Sequence, residues 1–354
     1  MGLVWEKIVR PAMFGLDAER AHELGMKALK LGLVRGERSF PEFGMFERFG
    51  LTFENPLGIA AGFDKNGIAV NELAALGFGF VEVGTVTFRP QKGNEKPRLF
   101  RLPDDDALIN RLGFNNDGAD AVAERLGKLK RKRVVGVNIG KNKDVPNEEA
   151  VENYLACFDV VHPVADYVAV NVSSPNTPNL RDLQQTESLK ELLSALQARN
   201  SDLGPKPLLV KIAPDLSEVE IEAIVDICVS HEISGIIATN TTVSRSGLNT
   251  KEPERFGEGG LSGKPLAARA NEVIKTTYRH SKGKLPVIGV GGILTAEDAF
   301  EKIAAGACLL QVYTGFIYGG PRFPQEINAD LPAILESKGF SSLDEAVGSG
   351  ISSV

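Results

Sequence analysis

Amides and lysines recur at regular intervals along this chain, each at or just after a short apolar run. Ala60-Ala61-Gly62-Phe63-Asp64-Lys65 closes the first run, and Gly84-Thr85 the second. Asn138-Ile139-Gly140-Lys141 closes the third, and Asn171-Val172-Ser173-Ser174-Pro175-Asn176 the fourth. Lys211 lies in the fifth, and Thr239-Asn240-Thr241-Thr242 ends the sixth. One Asn after a strand is ordinarily a turn residue. The same residue types after nearly every run point instead to one shared polar pocket.

Runs seven and eight end differently, in Gly291-Gly292-Ile293 and in Tyr313-Thr314-Gly315. Glycine lets backbone N–H groups approach an anion closely, so this pair suits a phosphate. The dinucleotide fingerprint fails, because Gly289-Val290-Gly291-Gly292-Ile293-Leu294 lacks the final glycine. The P-loop fails too: Glu258 stands where its first glycine belongs, and Pro265 follows Gly263-Lys264. Flavin mononucleotide (FMN) fits better, with its phosphate at runs seven and eight and its ring across the pocket. Lys211 would then stabilise the negative charge of the reduced flavin.

The elements that must position these residues follow from the runs themselves. They are Leu57–Ala61, Phe80–Val86, Val134–Ile139, Tyr167–Val172, Leu208–Ile212, Gly235–Thr239, Val287–Val290 and Leu309–Thr314. Continuous apolar runs separated by amphipathic stretches read as buried parallel strands joined by helices. Eight of them predict an α/β chain folded as a (β/α)8 TIM barrel, whose chemistry sits at the C-terminal strand ends. Ser217-Glu218-Val219-Glu220 and Thr295-Ala296-Glu297-Asp298 are capping-box-like helix starts. Asn55-Pro56 marks the break before the first strand.

Residues 1–40 read as a separate N-terminal two-helix extension, and 41–354 as the catalytic barrel. The extension holds Lys7, Arg10, Arg20, Lys27, Lys30 and Arg35 against Glu6, Asp17, Glu19 and Glu23, a balance of +2 in a chain of net charge −6. Val4, Trp5, Ile8 and Ala12 share one helical face. A second helix starts at Asp17, a good N-cap, and aligns Ala21, Leu24, Ala28 and Leu31. Such a pair either lies on a membrane surface or packs on the domain.

Composition narrows the function further. The chain has 354 residues, 43% hydrophobic and 24% charged, which is ordinary for a globular protein. Its acidic balance argues against nucleic acid as a partner. The basic run Lys128–Arg133 reads as cations at a helix C-terminus. Cys157, Cys228 and Cys308 form no C-x-x-C pair, and His22, His162, His231 and His280 have no metal-ligand spacing, so no metal is expected. Glu6, Lys7 and Arg10 break any signal-peptide pattern, Glu6 spoils a Met1-Gly2 myristoylation start, and no run reaches the ~18 apolar residues of a membrane span.

Four separated motifs carry a resemblance. Ala61-Gly62-Phe63-Asp64-Lys65, Asn110-Arg111-Leu112-Gly113-Phe114-Asn115-Asn116, Asn171–Thr177 and Gly259-Gly260-Leu261-Ser262-Gly263 resemble, in order, those of the dihydroorotate dehydrogenases. The resemblance covers nearly the whole chain, extension included. It implies FMN-dependent oxidation of dihydroorotate to orotate in pyrimidine biosynthesis. Soluble members carry Cys in the loop after strand four, whereas quinone-reducing members carry Ser, and here the position is Ser174. With the extension, this implies the quinone class, without an iron–sulfur partner subunit. Phe88 in Thr87-Phe88-Arg89-Pro90 departs from the Pro more often found there, outside the motif residues.

Residue by residue, the resemblance implies that Ser174 removes the C5 proton while hydride leaves C6 for flavin N5. Lys65, Asn110, Arg111, Leu112, Gly113, Phe114, Asn171, Asn176, Asn240 and Thr241 would bind substrate. FMN would be held by Ala61, Gly62, Phe63, Asp64, Lys65, Thr85, Asn138, Asn171, Lys211, Thr239, Gly263, Gly292, Tyr313 and Thr314. His22, Arg101 and Tyr313 would line a quinone path. The implied partners are dihydroorotate and orotate, a membrane quinone, and a membrane surface met by the N-terminal helices. The expected location is peripheral, on the cytoplasmic side of a bacterial inner membrane. Amides suit the cyclic ureide of dihydroorotate, which presents both donors and acceptors. Serine is a poor base at neutral pH and needs a proton path or a local field. Its bland alternative is a hydroxyl capping the Ser-Pro turn.

Two other readings compete. A dihydropyrimidine or dihydrouridine reductase would share the fold and a pyrimidine substrate, but would carry a Cys base and no such extension. A non-catalytic flavin-binding scaffold would have no need of a Lys and several Asn around one pocket.

Overall fold

A computed structural model describes residues 4–34 and 44–351 of the chain. The expected division at 40/41 and Arg35 lie outside the described residues. Eight strands close a parallel barrel: β1 (Leu57–Ile59), β2 (Phe80–Val86), β3 (Val134–Ile139), β4 (Tyr167–Asn171), β5 (Leu208–Ile212), β6 (Gly235–Ala238), β7 (Val287–Val290) and β8 (Ala307–Val312). Each pairs with the next, and β8 returns to β1 through Leu310–Val312 against Leu57–Ile59. Helices α1 (Val70–Ala75), α2 (Ala119–Gly127), α3 (Ala150–Val161), α4 (Thr186–Leu203), α5 (Glu218–Ser230), α6 (Ala267–Ser281), α7 (Ala296–Ala304) and α8 (Phe323–Ser337) follow the successive strands. The barrel expected from the eight apolar runs is therefore present.

Strand ends are shorter than the runs implied. β1 stops at Ile59, β4 at Asn171, β6 at Ala238 and β8 at Val312. Beyond those points the backbone leaves the ladder, and Ala60, Thr239 and Tyr313 belong to loops. Both expected capping boxes form: Ser217 with Glu220 starts α5, and Thr295 with Asp298 starts α7.

The barrel interior is filled by side chains. Phe53, Phe80, Tyr167, Leu209, Ile237, Ile288 and Leu309 share one buried cluster. Tyr167 fits because Gly136 lies beside it in the next strand; a Cβ there would sit 2.0 Å from the tyrosine ring. A hairpin, Phe46–Arg48 with Leu51–Phe53, lies at the N-terminal end and places Phe53 edge-on to Phe80 at 5.5 Å. Each such buried aromatic contributes about 1.5–3 kcal/mol by leaving water. A larger cluster packs the helices on the outer face of the sheet.

A second, antiparallel sheet joins Leu99–Leu102, Ala107–Asn110 and Gly260–Gly263. Strict periodicity at barrel spacing did not suggest it. The basic run behaves as expected: Lys128 caps α2 and pairs with Glu124, Arg131 pairs with Asp166, and Arg133 with Glu54.

The N-terminal segment is helical over Trp5–Phe14 and Ala18–Lys30. Asp17 caps the second helix, accepting from Glu19 N at 3.1 Å and Arg20 N at 3.0 Å. The expected apolar face is divided. Ala21, Met26 and Leu29 pack inward, while Val4, Ile8, Leu24, Leu31 and Leu33 are exposed. Trp5 donates its indole N–H to the Tyr318 carbonyl at 2.9 Å. No described helix is long and apolar enough to cross a membrane.

Candidate active site

The C-terminal ends of the strands open into one cavity. Ala61, Gly62 and Lys65 reach it from the loop after β1, Thr85 from β2, and Asn171, Ser174 and Asn176 from β4 and its loop. Lys211 enters from β5, and Thr239, Asn240 and Thr241 from the loop after β6. Asn110, Leu112, Gly113, Phe114 and Gly263 close it from the antiparallel sheet and its continuation. Gly292, Tyr313 and Thr314 line the side after β7 and β8.

Four other sequence candidates lie elsewhere. Phe63 turns into a neighbouring apolar cavity. Asp64 is buried, and its carboxylate accepts from the N–H groups of Ile68 (2.9 Å) and Ala69 (2.8 Å) ahead of α1. Arg111 runs outward, stacks on Phe100 at 4.7 Å and donates to the Phe256 and Glu258 carbonyls. Asn138 is fully buried one layer beneath the cavity.

The amides are oriented before any ligand arrives. Asn176 Nδ2 donates to Asn110 Oδ1 at 3.1 Å, and Asn110 Nδ2 to the Gly260 carbonyl at 3.4 Å. Asn240 Nδ2 donates to Ser173 Oγ at 3.0 Å and Asn171 Oδ1 at 3.3 Å. Asn171 Nδ2 donates to Thr85 Oγ1 at 2.9 Å, and the Tyr154 hydroxyl fixes the Asn171 carbonyl at 2.8 Å. Each amide retains further hydrogen-bonding capacity toward the cavity. Ser174 is buried, and its Oγ accepts from Asn176 N at 3.2 Å.

Two ammonium groups face this cavity. Among the described residues, neither Lys65 nor Lys211 donates a hydrogen bond to a protein acceptor. Burial pushes the Lys65 amine down to about 8, opposed chiefly by the Glu19 carboxylate. Burial also lowers Lys211, opposed by Glu82. Desolvated cations without partners are costly unless an anion or electron-rich ligand meets them.

Beneath the floor lies a polar layer that sequence reading missed. Glu82 of β2, fully buried, accepts from Gln311 Nε2 (2.6 Å), Tyr167 OH (2.8 Å) and Asn138 Nδ2 (3.0 Å). Gln311 lines the cavity, and its Oε1 is buried without a partner among the described residues. The signal was a charged Glu inside the apolar run Phe80–Val86. Ser262, also lining the cavity, shares a 2.9 Å hydroxyl contact with Thr314.

The residues fit a flavin nucleotide. Gln311 Oε1 and the Lys211 ammonium want polar partners from the cavity. Gly292 has φ +76°, and a Cβ on it would strike Ala267 at 2.4 Å, so only bare backbone fits beside the cavity there.

A second, apolar cavity lies between the N-terminal helices and the barrel. Trp5, His22, Phe63 and Arg101 line it, and Leu99 and Leu108 border both cavities. Tyr313, expected on a quinone path, lies in the polar cavity but packs edge-on to Phe63 at 5.7 Å. Phe63 in turn meets His22 at 4.9 Å. Arg101 stacks over Phe14 at 4.7 Å and donates to the Met13 carbonyl at 3.0 Å. Desolvation, and then the Lys65 charge, push His22 down to about 4, so it is neutral here near pH 7.

Comparisons with known proteins agree with one another. The family model described as dihydroorotate dehydrogenase matches residues 46–335. A protein of Anaeromyxobacter dehalogenans named dihydroorotate dehydrogenase (quinone) is 49% identical, over 98% of this chain and 97% of its own length. One of the same name from Gloeobacter violaceus is 50% identical, over 98% and 99%. The ligand-free DHODH of Eimeria tenella superposes with a TM-score of 0.90 at 38% identity, covering 95% of this chain and all of that one.

Proposed function

The chain belongs to the dihydroorotate dehydrogenase family, and we propose that it oxidises (S)-dihydroorotate to orotate in de novo pyrimidine (UMP) biosynthesis, with FMN as its flavin and a membrane quinone as the electron acceptor. The observation that carries this reading is the convergence of two partnerless ammonium groups and four oriented amides in one cavity, walled by Leu99 and Leu108 from an apolar one.

The chain's own residues divide the work. Asn110, Asn171, Asn176 and Asn240 hydrogen-bond the ureide ring and carboxylate, and an analogue that left these amides unpaired would bind poorly. Lys65 meets the carboxylate, while Leu112, Gly113, Phe114 and Thr241 enclose it, and Arg111 holds that loop from outside. Ser174 receives the proton from C5. For that its own hydroxyl proton must first leave to solvent, and the hydrogen bond that Oγ accepts from Asn176 N supports the negative charge this leaves on Oγ until the C5 proton arrives. FMN, when bound, would supply the hydride acceptor for C6 and the redox link to the quinone. Lys211, Thr85, Thr239 and the Gly62, Gly263 and Gly292 backbones would hold it, with Ala61, Tyr313 and Thr314 beside it and Asn138 beneath.

Residues 1–40 serve the other half-reaction. Quinones dissolve in lipid, so the oxidant must come from a bilayer. Exposed Val4, Ile8, Leu24, Leu31 and Leu33 on the extension suit shallow insertion and support a peripheral enzyme, which this reading assigns to the cytoplasmic side of the cell inner membrane. An anaerobic absorption spectrum of the purified protein tests the core of the reading. A flavin spectrum that bleaches on adding dihydroorotate is expected; a flavin that stays oxidised, or a chain that takes up FAD or NAD but no FMN, overturns it.

A further inference from the structure

One side chain outside the polar cavity ties three strand-end loops together. Arg181 lies in the short 3-10 turn Leu180–Gln184 that follows the loop after β4. Its Nε donates to the Ser173 carbonyl at 3.1 Å, its Nη2 to the Thr241 carbonyl at 3.0 Å and its Nη1 to the Asp215 carboxylate at 2.8 Å. Ser173 belongs to the loop after β4, Asp215 to the loop after β5 and Thr241 to the loop after β6. Asp215 is held in turn: it accepts from the Thr242 hydroxyl and, at 3.2 Å, from Val243 N. Gln184 steadies the same turn by accepting from Ala213 N at 2.9 Å. Arg181 does not line the cavity, whereas Ser174, Asn240 and Thr241 do.

The contacts close a ring. Asn240 Nδ2 donates to Ser173 Oγ at 3.0 Å, Thr241 follows Asn240 in the chain, and Arg181 joins the Thr241 and Ser173 carbonyls. Ser173 is thus gripped by its side chain from Asn240 and by its carbonyl from Arg181. That carbonyl shares one planar peptide unit with Ser174 N, so a tilt of the carbonyl turns the Ser174 backbone with it. A guanidinium suits the task because its donors form a rigid planar fork on three nitrogens. The side chains of Arg181 and Asp215 are 24% and 25% exposed, so water screens their charges. The two carbonyl bonds, rather than the charge, give the ring its shape.

We propose that Arg181 is a positioning residue for proton removal: by spanning the Ser173 and Thr241 carbonyls it sets Ser174 against the substrate that Asn240 orients. The proposal rests on the reading of Ser174 as the base. Lys211 and Gly292, assigned to the flavin, stand on other strands, so FMN should stay bound when Arg181 is replaced. A base displaced from C5 slows the transfer of the C5 proton first. A purely structural role would lower the yield of FMN-loaded protein or its urea midpoint, and leave the rate per bound flavin and its isotope effects unchanged.

The test is anaerobic stopped-flow reduction of the FMN-loaded full chain by saturating dihydroorotate, unlabelled or deuterated at C5 or at C6. In Arg181→Gln reduction should slow about 10²-fold, the order expected for a misplacement of about 1 Å. The C5 isotope effect should grow relative to the C6 effect. Arg181→Lys gathers its donors on one nitrogen and cannot reproduce the fork, so it should show the same isotope signature with a smaller slowing. Arg199→Gln, which loses a partly exposed pair with Asp159 on α4, should match the unaltered protein. Unaltered rates in the two Arg181 variants, or slowed rates with the ratio of the two isotope effects unchanged, overturn the proposal. Should Arg181→Gln fail to fold, Arg181→Lys decides alone. An unaltered protein whose flavin dihydroorotate does not reduce, or a Ser174→Ala variant reduced at the unaltered rate, instead overturns the site reading beneath.

Discussion

Asn138 gives its amide N–H to Glu82 at 3.0 Å, and both side chains are wholly buried. Glu82 accepts from Asn138 as it does from Gln311 and Tyr167, and so fixes which end of that amide points upward. Asn138 Oδ1 is left for Thr85 Oγ1 at 2.6 Å and Asn171 Nδ2 at 3.3 Å, both residues of the cavity wall. Glu82→Gln can donate as well as accept, and so frees the amide to turn. Leaving a buried donor or acceptor without its partner costs about 1–3 kcal/mol, so a stability loss of about 2 kcal/mol is expected, with faster FMN release. Urea unfolding and flavin-fluorescence release rates measure both. Values equal to those of the unaltered protein would show that Glu82 orders nothing above it.

Ser174 is the base in the proposed chemistry, and its removal gives a sharp result. Ser174→Ala should retain FMN and bind orotate, yet lose dihydroorotate oxidation by about 10²–10⁴-fold. The turnover of the unaltered protein should rise with pH, because the base must give up its own proton. Lys65 imposes the opposite limit. Its amine is lowered from 10.5 to about 8, so the charged form that meets the carboxylate is lost as pH rises past 8. A kcat that climbs with pH, beside a kcat/KM that falls above about 8, is the expected pair of profiles. Flavin reduction in Ser174→Ala at the unaltered rate would remove Ser174 from this role.

His22 predicts an acid sensitivity on the quinone side. Its folded value lies near 4 against an ordinary 6.5. Between those values the unfolded chain binds the proton and the folded chain does not, so stability falls as pH drops from 6.5 toward 4 and is complete above 6.5. His22→Leu suits an apolar cavity and does not titrate. Its urea midpoint should therefore fall less than that of the unaltered protein across this window. Equal slopes would mean that His22 titrates normally.

Much of this was legible in the sequence, for identifiable reasons. Buried parallel strands need uninterrupted apolar runs, so the eight barrel strands announced themselves. Residues at the strand ends are free of packing duty, so Asn171, Ser174 and Lys211 stood out against their neighbours. The antiparallel sheet was hidden because Leu99–Leu102 and Gly260–Gly263 are only four residues each and lie far apart in the chain. Glu82 was hidden inside an apolar run, where a lone charge looks like noise until Gln311 and Tyr167 arrive from β8 and β4. Phe63 and Asp64 share a motif with Lys65 but face elsewhere, because the turn after β1 sends successive side chains to different walls. The apolar face of the second N-terminal helix was visible as a pattern, but its division between core and solvent depends on the barrel surface beneath.

That division bears on the last expectation, which separates the two half-reactions. The extension is anchored inward by Met26, Leu29 and the Glu19–Arg98 pair, while Val4 and Ile8 each stand 65% exposed. Val4→Asp and Ile8→Asp therefore place charge on the exposed face of the extension, outside both cavities. Each charged side chain should oppose insertion into the interface, without disturbing the polar cavity. Both variants should bleach their flavin with dihydroorotate at the unaltered rate, yet bind anionic liposomes weakly and turn over slowly with long-chain quinones. Removing residues 1–38, so that the chain starts at Ser39, is a harsher change. It abolishes the membrane face but also deletes Glu19, leaving the buried Arg98, which holds the Lys92 and Asn94 carbonyls, without its ion-pair partner. Such a chain should still bleach, but at a raised dihydroorotate concentration. Stopped-flow flavin reduction, liposome sedimentation and steady-state quinone assays on the same three proteins read these effects apart. If the two aspartate variants bind liposomes and reduce long-chain quinone like the unaltered protein, the exposed apolar face does not meet the membrane.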